Sequence, residues 1–163
     1  MFEDLLAANR EYARSFRLAG LDPRAAKRFA LVTCIDSRIE PLAALGLAPG
    51  DSKILRNAGG RVTDDMLRSL AIAVALLGVR RIAVMHHTSC AMGGRTDREL
   101  RTAVLGTAPT AGDGVWLGAM PDEAAALLAD VEAVRHSAMI PAGVVVAGWV
   151  YDVETGAIEP VVG

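Results

Sequence analysis

The sequence predicts an α/β fold in which a mostly parallel central β-sheet is flanked by helices and ends in an antiparallel hairpin. Short apolar runs typical of buried strands alternate with longer segments that begin and end on helix-capping residues. This alternation indicates parallel strands joined by helices. The last apolar run is followed by a tight turn and a second short strand, which predicts the hairpin. No repeat or linker interrupts the 163 residues, so we expect a single domain over residues 1–163.

Four apolar segments are predicted to form the parallel strands. Each is short and stops at polar residues, as buried strands commonly do. They cover residues 28–34, 53–56, 81–86 and 144–151. The turn Glu154-Thr155-Gly156 then leads into the short final strand.

Capping residues predict where the helices begin and end. Thr63 provides an N-cap hydroxyl ahead of two acidic residues, and Gly78 provides the stop, so this helix runs through residue 77. Pro121 and two acidic residues open another helix that ends near residue 137. Further helical segments are predicted at residues 3–16, 40–45 and 97–105, and a glycine-rich loop at residues 106–118.

The charge pattern argues against two classes of partner. The chain has 17 Lys and Arg against 19 Asp and Glu, a formal charge of −2, with both signs mixed along its length. We therefore expect no nucleic-acid partner. The longest stretch without a charged residue or histidine, residues 137–151, is too short to span a membrane. Acidic residues stand near the N-terminus where a signal peptide needs basic ones, so we expect a cytoplasmic protein.

Residues with metal-binding chemistry follow two of the predicted strands. Cys34-Ile35-Asp36-Ser37-Arg38 closes the first strand, and His87-Thr88-Ser89-Cys90 follows the third. Active sites of such sheets lie beyond the carboxyl ends of the strands. A tight turn can aim His87 and Cys90 at one point, and Cys34 adds a second thiolate. Three protein ligands with an open fourth position are typical of a catalytic zinc site, so a Cys34-His87-Cys90 centre is predicted.

Two roles are open to Asp36 beside such a centre. If the backbone stays extended beyond Cys34, then Asp36 and Arg38 line the same wall as Cys34, because alternate residues of an extended chain share a face. Asp36 can then bind zinc as a fourth ligand and close the site. Alternatively, it can form a bidentate pair with Arg38 and stay off the metal.

These motifs resemble those of the β-class carbonic anhydrases, whose signature joins C-x-D-x-R with H-x-x-C. The resemblance extends to Arg56-Asn57-Ala58-Gly59, to the TDD helix start at residue 63 and to GWVYDVETG at residues 148–156. It implies reversible hydration of CO₂ to bicarbonate and a proton by zinc-bound hydroxide, with one Zn²⁺ per subunit. By this resemblance Cys34, His87 and Cys90 hold the zinc, and Asp36 and Arg38 form the dyad that orients the hydroxide.

The resemblance also implies an obligate dimer or a dimer of dimers. We expect the helix at residues 3–16 and the strand at residues 143–151 to contribute to the dimer, because apolar residues make up 52% of the chain. Backbone groups of Asn57, Ala58 and Gly59 are expected to contact the substrate oxygens. The sequence departs from many family members in having no glutamine, a residue that those members use to bind the substrate.

Two other functions compete with CO₂ hydration. The first is hydrolysis of carbonyl sulfide or carbon disulfide on the same fold and metal, as relatives of the family do. The second is a non-catalytic zinc protein whose site is closed by Asp36. The other two histidines are expected outside the centre: His86 faces the opposite side of its strand, and His136 lies on the surface at a helix C-terminus.

Overall fold

The computed structural model of the protein describes residues 1–106 and 116–163, so most of the predicted loop at residues 106–118 lies outside the described residues. In this described part of the chain, five strands form one sheet in the order β2-β1-β3-β4-β5. The first four are parallel and β5 is antiparallel to β4, which confirms the predicted fold class. The strands are β1 Phe29–Cys34, β2 Ser52–Asn57, β3 Arg81–His87, β4 Val145–Tyr151 and β5 Ile158–Val162.

The described ranges of the chain contain five α-helices, namely α1 Glu3–Arg14, α2 Pro41–Ala44, α3 Asp64–Leu76, α4 Asp97–Leu105 and α5 Glu123–Arg135. The Thr63 hydroxyl caps α3 as predicted, since it accepts a hydrogen bond from the backbone N–H of Met66. Helix α1 ends two residues earlier than predicted, because the Ser15 hydroxyl and N–H both donate to the Tyr12 carbonyl and close the helix. Within the described residues no helix is long and apolar enough to cross a membrane.

Successive residues of β3 face opposite sides of the sheet and enter two separate cores. Ile82 and Val84 pack with the apolar faces of α3 and α5. Ala83 and Met85 belong to a second cluster on the other face, with Met120 and Ile39. Full burial of a Val, Ile or Met side chain contributes about 1.5–3 kcal/mol, so exchanging the two faces of β3 would be costly. The alternation continues through the end of β3 and places the last two residues of the strand on opposite faces.

The 3₁₀ turn Ala58–Gly60 follows β2 and presses its backbone against the end of β1. Gly60 has a φ of +68°, and a Cβ atom there would lie 2.9 Å from the Thr33 carbonyl carbon and 3.0 Å from the Cys34 nitrogen. Neither neighbour can move, because both belong to a central strand. Only glycine therefore allows this turn to approach Cys34.

We expect Gly60→Ala to lower the free energy of unfolding by about 3 kcal/mol. The left-handed backbone costs an L-residue about 1–2 kcal/mol, and the forced overlap adds about 1–3 kcal/mol. Gly46→Ala is the matched control, because Gly46 has a φ of +61° but nothing within 4 Å of a Cβ position. Urea unfolding of both variants measures the difference, and equal losses would contradict the close approach.

Candidate metal centre

The three predicted ligands meet at the carboxyl edge of the sheet. Cys34 is the last residue of β1, His87 is the last residue of β3, and Cys90 follows in the turn beyond β3. All three are buried, and one ligand atom from each lies within 4.8 Å of the other two. The parallel pairing of β1 with β3 produces this convergence, because it carries both strand ends to the same edge.

Hydrogen bonding leaves one ring nitrogen of His87 free to bind a metal. His87 Nδ1 donates to the Thr88 carbonyl oxygen over 2.9 Å, so the lone pair is on Nε2. Among the described residues this buried Nε2 has no hydrogen-bond partner. Burial lowers the pKa of His87, but the adjacent Cys34 sulfur outweighs burial and raises it. An orphaned nitrogen lone pair beside two sulfurs is a donor set that fits zinc.

The Cys90 thiol donates a hydrogen bond to the Cys34 sulfur. The hydrogen bond from the Cys90 thiol, together with those from the backbone N–H groups of Asp36 and Gly59 and the adjacent His87 ring, outweighs burial and lowers the pKa of Cys34 below its usual value. The same hydrogen bond to Cys34, followed by burial, raises the pKa of Cys90 above its usual value. The fold therefore favours thiolate at Cys34, which is the form that binds metals.

Asp36 is paired with Arg38 in the structure. Arg38 Nε and Nη2 donate to the two carboxylate oxygens over 2.9 and 2.7 Å, and the Arg38 backbone N–H donates over 2.9 Å. These hydrogen bonds, the side-chain ones first, hold the pKa of Asp36 well below its usual range. Asp36 Oδ2 still lies 4.0 Å from His87 Nε2. The carboxylate thus faces the ligands while Arg38 holds it.

The backbone at Asp36 differs from the extended wall expected from the sequence. Strand β1 ends at Cys34, and a turn follows in which the Ile39 N–H donates to the Asp36 carbonyl. The expectation of an extended chain through Arg38 is wrong, because the Asp36 carboxylate captures the Arg38 N–H and bends the chain. The turn still brings the two side chains together. Arg38 Nη2 also donates to the Ser89 carbonyl over 3.1 Å and so joins the two ligand-bearing segments.

Arg56 holds the same segment from the side of β2, a contact that sequence reasoning missed. Its guanidinium donates to the carbonyls of Cys34, Asp36 and Ile39 over 2.8, 2.7 and 3.2 Å. The sequence contained a signal, since Arg56 begins the Arg56-Asn57-Ala58-Gly59 motif. The predicted substrate contacts are Asn57, Ala58 and Gly59 of that motif, whereas Arg56 itself binds backbone carbonyls of the chain.

Of the remaining residues considered in the sequence, Asn57 lies at this edge of the sheet, whereas His86 and His136 lie away from the centre. Asn57 pairs with Cys34 across the β1–β2 ladder, and its side-chain nitrogen donates to the Arg61 carbonyl over 2.7 Å. His86 faces the opposite side of the sheet from the centre and bonds to Asp130, as the strand periodicity predicted. His136 is exposed beyond the end of α5, at the helix C-terminus, as expected.

Comparison with known proteins places this geometry in a family. The carbonic anhydrase family model matches residues 29–104. Beta-carbonic anhydrase 1 of Mycobacterium tuberculosis is 34% identical, over 98% of this chain and 96% of its own length. A carbon disulfide hydrolase of Acidianus is 35% identical, over 79% of this chain and 74% of its own. The crystal structure of a carbonic anhydrase from Streptococcus mutans has a TM-score of 0.88 and 40% identity, with 98% and 96% of the two chains covered. Similarity of this extent over nearly the whole length shows that the chain belongs to the β-carbonic anhydrase family.

Proposed function

We propose that this protein is a zinc enzyme that catalyses the reversible hydration of CO₂ to bicarbonate and a proton. The observation that carries the proposal is the buried lone pair of His87 Nε2, which converges with two sulfurs beside an Asp36 carboxylate held by Arg38. The similarity to beta-carbonic anhydrase 1 over 98% of the chain supports this activity.

Cys34, His87 and Cys90 are the residues that would hold the zinc ion. Three protein ligands leave a fourth position for an exchangeable group. A zinc ion bound there lowers the pKa of water and so supplies hydroxide near neutral pH, which is the nucleophile that CO₂ hydration needs.

Asp36 orients the nucleophile in this proposal. The low pKa of Asp36 keeps it ionised, so its oxygens can only accept hydrogen bonds. It would therefore accept the O–H of a hydroxide supplied at this centre, which would leave an oxygen lone pair of that hydroxide free for the carbon of CO₂. The closed, non-catalytic alternative requires Asp36 to give up the three hydrogen bonds from Arg38, so the observed pairing favours the open site.

The 3₁₀ turn Ala58–Gly60 is the proposed substrate-facing backbone. The side-chain nitrogen of Asn57 is already used by the Arg61 carbonyl, and the Gly59 N–H points to the Cys34 sulfur. Ala58 is exposed, so of the three residues it is the one best placed to contact CO₂. Substrate contact by Asn57, Ala58 and Gly59 stays a prediction.

We expect the purified protein to contain about one zinc ion per chain and to hydrate CO₂ in a stopped-flow indicator assay. Removal of the metal by a chelator should abolish hydration, and added Zn²⁺ should restore it, because three ligands and an open position are typical of a catalytic site. Elemental analysis gives the metal content. Zinc without any hydration would instead support the closed site.

A second candidate function is hydrolysis of carbon disulfide or carbonyl sulfide. It is favoured by the Acidianus relative, which is named a carbon disulfide hydrolase and is 35% identical over 79% of this chain. The same purified protein should therefore be supplied with either sulfur compound and assayed for sulfide. Sulfide release without CO₂ hydration would replace the first proposal with this one.

Asp36→Asn should retain zinc and lose most of its hydration rate. We expect a fall of about 10²–10⁴-fold, the usual range for a group that handles a proton at the reacting atom, because an amide can present its N–H instead of an acceptor. Asp65→Asn is the control, since Asp65 also pairs with an arginine, Arg68, but on the exposed surface of α3. Full activity of Asp36→Asn at every pH would rule out the orienting role.

We also propose that α1 is the arm that joins two copies of the chain. Every residue of α1 is exposed within the described chain. Exposed apolar side chains, 42–64% accessible, cover one side of this segment: Phe2, Leu5, Leu6, Tyr12 and Phe16. Strand β4 lies between β3 and β5 and cannot extend the sheet into a partner, so α1 is the stronger dimer element.

A site with two reduced cysteines also fits the expected cytoplasmic location.

Leu5→Glu should shift the protein from dimer to monomer in analytical ultracentrifugation. The substitution places a charge within the apolar side of α1, where burial of an unpaired carboxylate is costly. Ala7→Glu puts the same charge on the opposite side of the helix and should leave the dimer intact. If wild type is monomeric, or if both variants behave alike, α1 is not the dimer arm.

A further inference from the structure

Three charged or polar side chains form a buried cluster that the proposed reaction does not use. Arg61, His86 and Asp130 have side-chain exposures of only 9%, 4% and 4%. Asp130 lies on α5, which packs on the face of the sheet opposite the metal centre. The Trp116 ring lies over the guanidinium, 5.0 Å from its central carbon.

Asp130 is the hub of this cluster. Its carboxylate accepts four hydrogen bonds, from Arg61 Nε over 2.6 Å, Arg61 Nη2 over 3.3 Å, the Val62 N–H over 3.2 Å and His86 Nε2 over 3.0 Å. Burial raises the pKa of Asp130, but the hydrogen bonds from His86 and Arg61 outweigh it and keep the pKa below its usual range. The carboxylate is therefore ionised and fully engaged.

The first link to the metal centre runs through β3. His86 donates its Nε2–H to Asp130, which anchors the ring to α5. His87 is the next residue, and its ring leaves the same strand on the other face. Rotation of the peptide between the two histidines would move both rings at once. The hydrogen bond from His86 to Asp130 thus restricts the position of the His87 ring.

The second link runs through Arg61 to the turn that carries Cys90. Arg61 Nη1 donates to the carbonyls of Gly118 and Ala119, each over 3.1 Å. The following residue, Met120, donates to the Met92 carbonyl over 3.1 Å and accepts from Gly94 over 2.9 Å. The turn is closed by Gly93, whose N–H donates to the Cys90 carbonyl.

Stability alone does not explain a buried ion pair at this position. Removing two charges from water is costly, and apolar side chains of similar volume often stabilise a core equally well or better. The charged cluster instead fixes the positions of its partners, because each of its hydrogen bonds holds a particular backbone or ring atom. The atoms it fixes lead to two of the three predicted zinc ligands.

We propose that Asp130 is a positioning residue that, through His86 and Arg61, holds His87 and Cys90 in the geometry that retains zinc. The inference rests on the proposed zinc site and adds a second layer of residues, on the opposite face of the sheet, that controls metal release. Groups that orient metal ligands from behind typically change metal affinity 10–100-fold.

The test is the rate of zinc release from the loaded protein into an excess of a chromophoric chelator. Asp130→Asn, which cannot accept all four hydrogen bonds, should release zinc about 10–100-fold faster than wild type. Asp65→Asn should release zinc at the wild-type rate, because its carboxylate is exposed on α3. Release from Asp130→Asn at the wild-type rate would overturn the inference.

A double variant separates positioning from folding. Arg61→Met with Asp130→Leu replaces the ion pair by apolar side chains and leaves neither charge unpaired. It should keep the native circular dichroism spectrum and still release zinc faster than wild type. Zinc release at the wild-type rate from the folded double variant would show that the cluster serves the fold instead. Loss of the native spectrum by both Asp130→Asn and the double variant in the metal-free state would show the same. A wild-type protein that binds no zinc would refute the proposed function itself, a separate outcome.

Discussion

The parallel pairing of β1 with β3 is the constraint on which the site depends. Its register sets Thr33 opposite Met85, so the chain leaves both strands at the same edge with Cys34 and His87 close together. Both strands are interior and almost wholly buried, and the apolar packing that buries them also sets the position of the predicted ligands. A slip of one residue would exchange the faces of β3 and bring His86 to the centre in place of His87.

Arginines then hold the irregular segments that follow the strands. Arg38 joins the Asp36 carboxylate to the Ser89 carbonyl. Arg56 binds three carbonyls at and beyond the end of β1, and Arg61 binds those of residues 118 and 119. A guanidinium suits this task, because it offers five donors in one plane and stays charged. Carbonyls outside helices and strands thereby gain partners, and the loops around the centre keep defined positions.

Two similar pairs of residues acquire different roles from their surroundings. His87 uses Nδ1 on a backbone carbonyl and keeps Nε2 free beside the sulfurs, whereas the adjacent His86 uses Nε2 on Asp130. Asp36 and Asp130 are both paired with an arginine, but Asp36 lies at the open edge beside the ligands and Asp130 lies buried behind the sheet. The alternation of β3 places one histidine on each side of the sheet, and each histidine lies beside one of the two aspartate–arginine pairs.

Local patterns in the sequence determined the strands, most helix boundaries and the three residues predicted to bind the metal, because capping residues, short apolar runs and polar strand ends act between near neighbours. The role of Asp36 was left open, since it depends on a turn that forms only after β1 ends and the carboxylate captures Arg38. Only the tertiary structure joined Arg61 to Asp130, which are 69 positions apart, and Arg56 to the carbonyls after β1. Contacts of this kind depend on how α5 packs on the sheet and how β2 aligns with β1, and no periodic pattern in the sequence indicates either arrangement.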